Sequence, residues 1–152
     1  MTRAEKARDY FMQGYACSQS VALAFTDLTT LTEEEILKAT IGFGGGFGRL
    51  RLVCGAISGM TTIVGLIFSK NENSQQNKLD TYAVVRELCD EFSKEVGSLI
   101  CQELLNASKA PITAGAVPQE RTSEYYQKRP CGELVYLAAD ILEKYLQKKG
   151  VI

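Results

Sequence analysis

Apolar residues recur three or four apart in most segments of the chain, between breaks made by glycine, proline and short polar runs. Thr2 to Gly14 carries Ala4, Ala7, Tyr10 and Phe11 on one stripe, which predicts a first helix stopping at Gly14. After the turn Tyr15-Ala16, a second helix is expected from Cys17 or Ser18, with Val21, Ala22, Leu23 and Phe25 inside. Thr32 and Glu35 have capping-box spacing ahead of Ile36, Leu37, Ala39 and Ile41, so a third helix begins there. It must end in the stretch Gly42 to Gly48, because each glycine in a helix costs about 1 kcal/mol relative to alanine. Phe43 and Phe47, set among these glycines, are expected to pack on neighbouring helices.

Val53 to Phe68 is apolar all round, the mark of a helix surrounded by others. Gly55 and Gly59 stand four apart on one face, where small residues let a second backbone approach, so this helix is placed at the centre. The polar run Ser69 to Lys78 reads as a solvated connection. An amphipathic helix follows from Leu79 to about Val96, with Tyr82, Val85, Leu88, Cys89 and Phe92 facing inward and Gly97 as its break. Ser98 is expected to cap a short helix holding Leu99, Ile100, Cys101, Leu104 and Leu105. Lys109 to Pro130 reads as one long irregular loop, the kind of segment that serves as a lid, with Tyr125 and Tyr126 placed to close over a site. Pro130 suits the first turn of a last helix, Cys131 to about Lys148. No run alternates as a strand would. The expectation is an all-α, single-domain bundle over residues 1–152, with five or six helices, a central Gly-containing apolar helix and a loop at about 109–130.

Length and composition change this picture little. A chain of 152 residues with 45% hydrophobic and 23% charged residues is long enough for one real core. A net charge of −1 supplies no basic excess for nucleic acid. The uncharged run Leu52 to Ser69 would reach about 27 Å as a helix, short of the roughly 30 Å of a bilayer core, and it carries three glycines. Membrane association is therefore not expected. The first ten residues are charged where a signal peptide needs an apolar stretch, which points to a cytoplasmic, reducing setting.

Candidate chemistry rests on cysteine. With no histidine in the chain, Cys-His catalysis and His-metal sites are excluded for one chain acting alone. Of the five cysteines, Cys17, Cys54, Cys101 and Cys131 all fall at predicted helix starts, where free N–H groups and the helix dipole favour a thiolate. Cys89 is mid-helix and reads as packing. The thiolate is both a redox nucleophile and a metal ligand, and no Cys-x-x-Cys pair selects between the two. A tetrathiolate zinc site in a non-catalytic interaction module is the alternative from a different class. The loop Gly44 to Gly48 with Arg49 and Arg51 can also be read as an anion cradle, but its spacing matches no phosphate-binding motif, and glycines that let the chain pass beside Cys54 are the simpler reading.

Cys54-Gly55-Ala56-Ile57-Ser58-Gly59, with Cys17, Cys101 and Cys131 in order around it, resembles the C_GCAxxG_C_C family of four-cysteine proteins. The preceding Gly-Phe-Gly-Gly-Gly-Phe-Gly-Arg is similar to the family's glycine loop, and Cys89 matches no shared position. The resemblance implies a redox-active protein, working by thiol–disulfide exchange or as an iron–sulfur carrier; zinc, which comes from the donor set and not from the resemblance, is the weaker cofactor choice. On that reading Cys17, Cys54, Cys101 and Cys131 are the redox thiols or metal ligands, and Gly55 and Gly59 permit close approach beside Cys54. The partner would be a redox protein or a small thiol. A homodimer is left open.

Overall fold

Short polar side chains set half of the helix starts. Thr2 Oγ1 accepts from Glu5 N at 3.1 Å while Glu5 reaches back to Thr2 N, and Thr32 and Glu35 repeat the same box at 3.2 and 3.0 Å. Ser74 and Thr122 cap two further helices in the same way. The computed structural model describes all residues 1–152. It contains eight α-helices: α1 Arg3–Met12, α2 Cys17–Leu23, α3 Glu33–Thr40, α4 Gly55–Phe68, α5 Gln75–Val96, α6 Cys101–Ser108, α7 Ser123–Lys128 and α8 Cys131–Lys148. Single 3₁₀ turns follow α2 and α3, at Thr26–Leu28 and Ile41–Phe43. The chain is all-helical, with eight helices rather than five or six.

Three differences from the sequence expectation have clear causes. Helix α5 begins at Gln75, four residues before the apolar stripe, because the Ser74 cap rather than hydrophobicity starts it. Ser98 does not cap α6, whose flanking residue is Ile100; its hydroxyl instead accepts from Ile100 N at 3.0 Å and donates to Glu103. The stretch 109–130 is not wholly irregular, since Thr122 caps the six-residue α7 that holds Tyr125 and Tyr126.

The central helix is also a different one. Helix α4 is buried over its first half but exposes Leu66 in its last turns, so it is not enclosed on all sides. Helix α2 packs against α1, α3, α4 and α8, and Ser18 through Phe25 are all buried. Its polar residues survive burial because the end of α3 satisfies them: Ser18 Oγ donates to Thr40 O at 2.6 Å and Gln19 Nε2 to Leu37 O at 3.2 Å. Helix α1 lies along α8 on the other side, and Phe25, Phe92, Met60, Ile63, Leu142 and Leu146 fill the core between these layers. No helix is long and apolar enough to cross a membrane.

Candidate functional site

Four helix starts meet at one place. Cys17 is the first residue of α2, Cys101 of α6 and Cys131 of α8, and Cys54 is the residue that flanks the start of α4. All four line a single cavity of about 490 Å³, and all are free thiols. Cys54 and Cys101 are buried, whereas Cys17 and Cys131 are partly exposed. Cys89 stands apart on α5, outside the cavity.

Backbone hydrogen bonds hold together the two segments that carry Cys54 and Cys101. Cys54 N donates to Leu99 O at 2.8 Å, Cys101 N to Leu52 O at 2.6 Å and Gln102 N to Arg51 O at 3.2 Å, around an isolated antiparallel bridge between Val53 and Ile100. The glycine run before Cys54 is wound into a compact coil. Gly48 N donates to Gly42 O at 2.9 Å, Arg51 N to Gly45 O at 3.1 Å and Leu52 N to Gly46 O at 3.0 Å. At Gly46 the backbone is left-handed (φ 77°), and a Cβ there would lie 2.6 Å from Leu52 N and 2.9 Å from the Cys101 Cβ. Phe47, Arg49 and Arg51 also hold positive φ, at 67°, 67° and 63°, a concentration of backbone strain on one wall of the cavity. Phe47 does not pack on a helix. It meets Phe43 edge-on at 5.1 Å and is 43% exposed.

The segment after α6 forms another wall. Ala116, Pro118, Gln119, Arg121 and Tyr125 line the cavity, while Tyr126 turns away to pack edge-on against Phe11 at 5.9 Å. Arg49 ties this segment to the glycine coil by donating to Gly115 O at 2.7 Å, to Val117 O and to Thr113 Oγ1 at 2.8 Å.

Burial, not the helix dipole, dominates the thiols' ionisation. The expectation that helix-start cysteines would be readily ionised does not hold for Cys17, Cys54 or Cys131. Desolvation pushes Cys17 up despite hydrogen bonds from the backbone of Gly45 and Ser18. Cys54 is pushed well up by burial and then by the neighbouring Cys17. Cys131 is pushed up to about 12 by burial and the charge of Cys17, against the pull of Arg129. A charge on Cys17 therefore opposes ionisation at both Cys54 and Cys131, and a charge on Cys101 opposes it at Cys17.

The chain matches the family described as "Putative redox-active protein (C_GCAxxG_C_C)" over residues 15–145. It belongs to that family. No curated protein and no solved structure matches it.

In this C_GCAxxG_C_C protein the spacing of the Cys-Gly-Ala-x-x-Gly segment has a packing reason. A Cβ on Gly55 would run into the Cys17 sulfur, and one on Gly59 would run into the backbone carbonyl of Ser18. The two glycines are thus where α4 touches the start of α2, one helical turn apart. Ala56, between them in sequence, is fully buried.

Four thiols are the donor set of an iron–sulfur cluster or a tetrathiolate zinc. The chemistry fits but the geometry does not, because no three Cys, Asp or Glu side chains come close enough together to hold a metal ion. Of the four arginines on the cavity wall, only two are legible in the sequence. Arg49 and Arg51 adjoin the glycine loop and are visible in the sequence. Arg121 and Arg129 carry no sequence signal, since they lie around α7, which the helical periodicity does not reveal.

Proposed function

We propose that the four cavity thiols form a redox site that works by thiol–disulfide exchange, with Cys17 as the thiol the other three pair with. The observation that supports it is the gathering of four free cysteines, from four separate helix starts, on the wall of one cavity. Cys17 is coupled to each of the other three. Its sulfur rests over Gly55, next to Cys54 in the chain, and once ionised it would oppose ionisation at Cys54 and Cys131. Exchange needs a thiolate, and burial keeps Cys17, Cys54 and Cys131 protonated at neutral pH, so the resting site is slow to react with adventitious oxidants.

The test is a redox titration of Cys89→Ser protein over about −180 to −320 mV, a span covering cellular dithiol poises, with alkylation and peptide mapping at each point. Disulfides joining Cys17 to another of the four are expected, reversibly, with their loss in Cys17→Ser. Four thiols that stay reduced across the range would overturn the reading, as would a cavity disulfide that survives in Cys17→Ser as fully as before.

A further inference from the structure

The thiols share their cavity with four arginines, Arg49, Arg51, Arg121 and Arg129, and with no aspartate or glutamate. Two of the three arginines elsewhere find carboxylates: Arg3 pairs with Asp27 at 2.6 Å and Arg8 with Glu133 at 3.3 Å. None of the four cavity arginines has such a partner. Arg49 is consumed by the carbonyls it ties together, and Arg121 donates to Phe11 O and Tyr15 O, both at 3.1 Å. The other two are less satisfied. Arg129 is only 8% exposed, its Nη2 is buried without any hydrogen-bond acceptor, and its guanidinium lies 5.0 Å from the centre of the Tyr125 ring. The Nε of Arg51 is likewise buried without a partner, although its Nη1 lies 3.7 Å from the Cys101 sulfur.

A buried guanidinium with an unused N–H leaves a charge and a donor uncompensated. Crowding adds to this, because the positive charges of Arg51 and Arg129, after burial, pull Arg49 below its usual range. An anion between these groups would supply both the missing acceptor and the missing charge. The volume of about 490 Å³ lies within the range of small-molecule pockets, about 300–1,000 Å³, and Leu104, Leu105 and Tyr125 offer apolar surface to an organic body.

We propose that the cavity binds a low-molecular-weight disulfide carrying two carboxylates, and that this is the oxidant of the thiol site. The assignment rests on the thiol-exchange reading above. One protein thiolate attacks the ligand's S–S bond and expels half the ligand as a thiolate, which takes up the proton the protein thiol released. A second protein thiol then attacks the mixed disulfide and expels the other half in the same way. The sum is two protein thiols plus RSSR giving one protein disulfide plus two RSH, with two electrons and two protons passed to the ligand.

The experiment uses Cys89→Ser protein and three disulfides of similar size: 3,3′-dithiodipropionate (dianionic), 2-hydroxyethyl disulfide (neutral) and cystamine (dicationic). Each rate of protein disulfide formation is divided by the rate with the same protein unfolded in urea, which removes intrinsic reactivity. The dianion's ratio is expected to exceed cystamine's by about tenfold or more at low salt, and to fall toward it as salt rises. In Arg129→Gln the dianion's rate should fall by a larger factor than the neutral disulfide's, and Arg129→Lys should restore part of the gap. Calorimetry with 3,3′-thiodipropionate, which has the carboxylates but no S–S bond, should show binding to the native protein. This measurement and the charge series need no variant at position 129 to fold. Equal ratios for the three disulfides, with no binding of thiodipropionate, would overturn the anion site and leave the redox reading standing if 2-hydroxyethyl disulfide still oxidises Cys17. Binding of thiodipropionate with no protein disulfide formed by any of the three would overturn the redox reading and the assignment of the oxidant, while leaving an anion site.

Discussion

Gly55 and Gly59 touch different kinds of obstacle, and their substitutions separate accordingly. Alanine at 59 would meet the Ser18 carbonyl, part of a buried helix backbone, whereas alanine at 55 would first meet the Cys17 sulfur, a single side-chain atom that can rotate. Gly59→Ala is expected to destabilise by about 2–3 kcal/mol and Gly55→Ala by less, in urea unfolding. Gly65, on the same helix with open space around it, is the contrast: Gly65→Ala should stabilise by about 0.5–1 kcal/mol. The spacing of the first two glycines was readable in the sequence because a close helix contact needs small residues one turn apart. Which partner they admit was not readable, since α2 shows its fit to α4 only when folded. Thiol reactivity belongs to this scale too. With Cys131 pushed up to about 12, its alkylation by iodoacetamide near about pH 8 should be far slower in native than in urea-unfolded protein, where an ordinary thiol near about 8.5 is partly ionised. Equal rates would contradict the burial account.

Among the elements, the segment between α6 and α8 is held by few contacts that can be cut singly. Arg49 binds Thr113, Gly115 and Val117 at once, so Arg49→Ala should release this wall of the cavity while leaving the helices in place. Limited proteolysis is expected to cut within 110–120 faster in Arg49→Ala, by about tenfold if opening becomes the easy step, with the circular dichroism spectrum unchanged. An unchanged cleavage rate would mean that other contacts hold the segment. The elements differ in how legible they were for a physical reason. The stripes of α1, α5 and α8 and the capping box of α3 follow from local spacing. The short α7 has too few residues for a period to show, and α2 hides its burial because Ser18, Gln19 and Ser20 look solvent-facing until carbonyls of α3 and of the preceding turn accept their hydrogen bonds.

For the molecule as a whole, the buried thiols make stability depend on alkaline pH. Unfolding returns each to its ordinary range near about 8.5, while folding holds the proton on Cys131 up to about 12 and raises Cys17 and Cys54 in the same direction. Between those limits the folded state binds more protons than the unfolded one, so stability falls as pH rises. Their contribution is complete below about pH 8.5 and is lost progressively toward about 12. The urea midpoint should therefore drop between about pH 8 and about pH 10.5, and less steeply in Cys131→Ser. A flat profile would show that the thiols ionise freely in the folded protein. The sequence by itself determined the helical class, the glycine break and the placing of four cysteines at helix starts, because each depends on neighbours within one or two turns. Only the tertiary structure decided that α2 is the enclosed helix, that the four thiols share one cavity without closing to metal distance, and that arginines from around α7 stand beside them. These depend on which helix faces meet, and on a balance of burial against charge that arises only when distant segments exclude water from the same space.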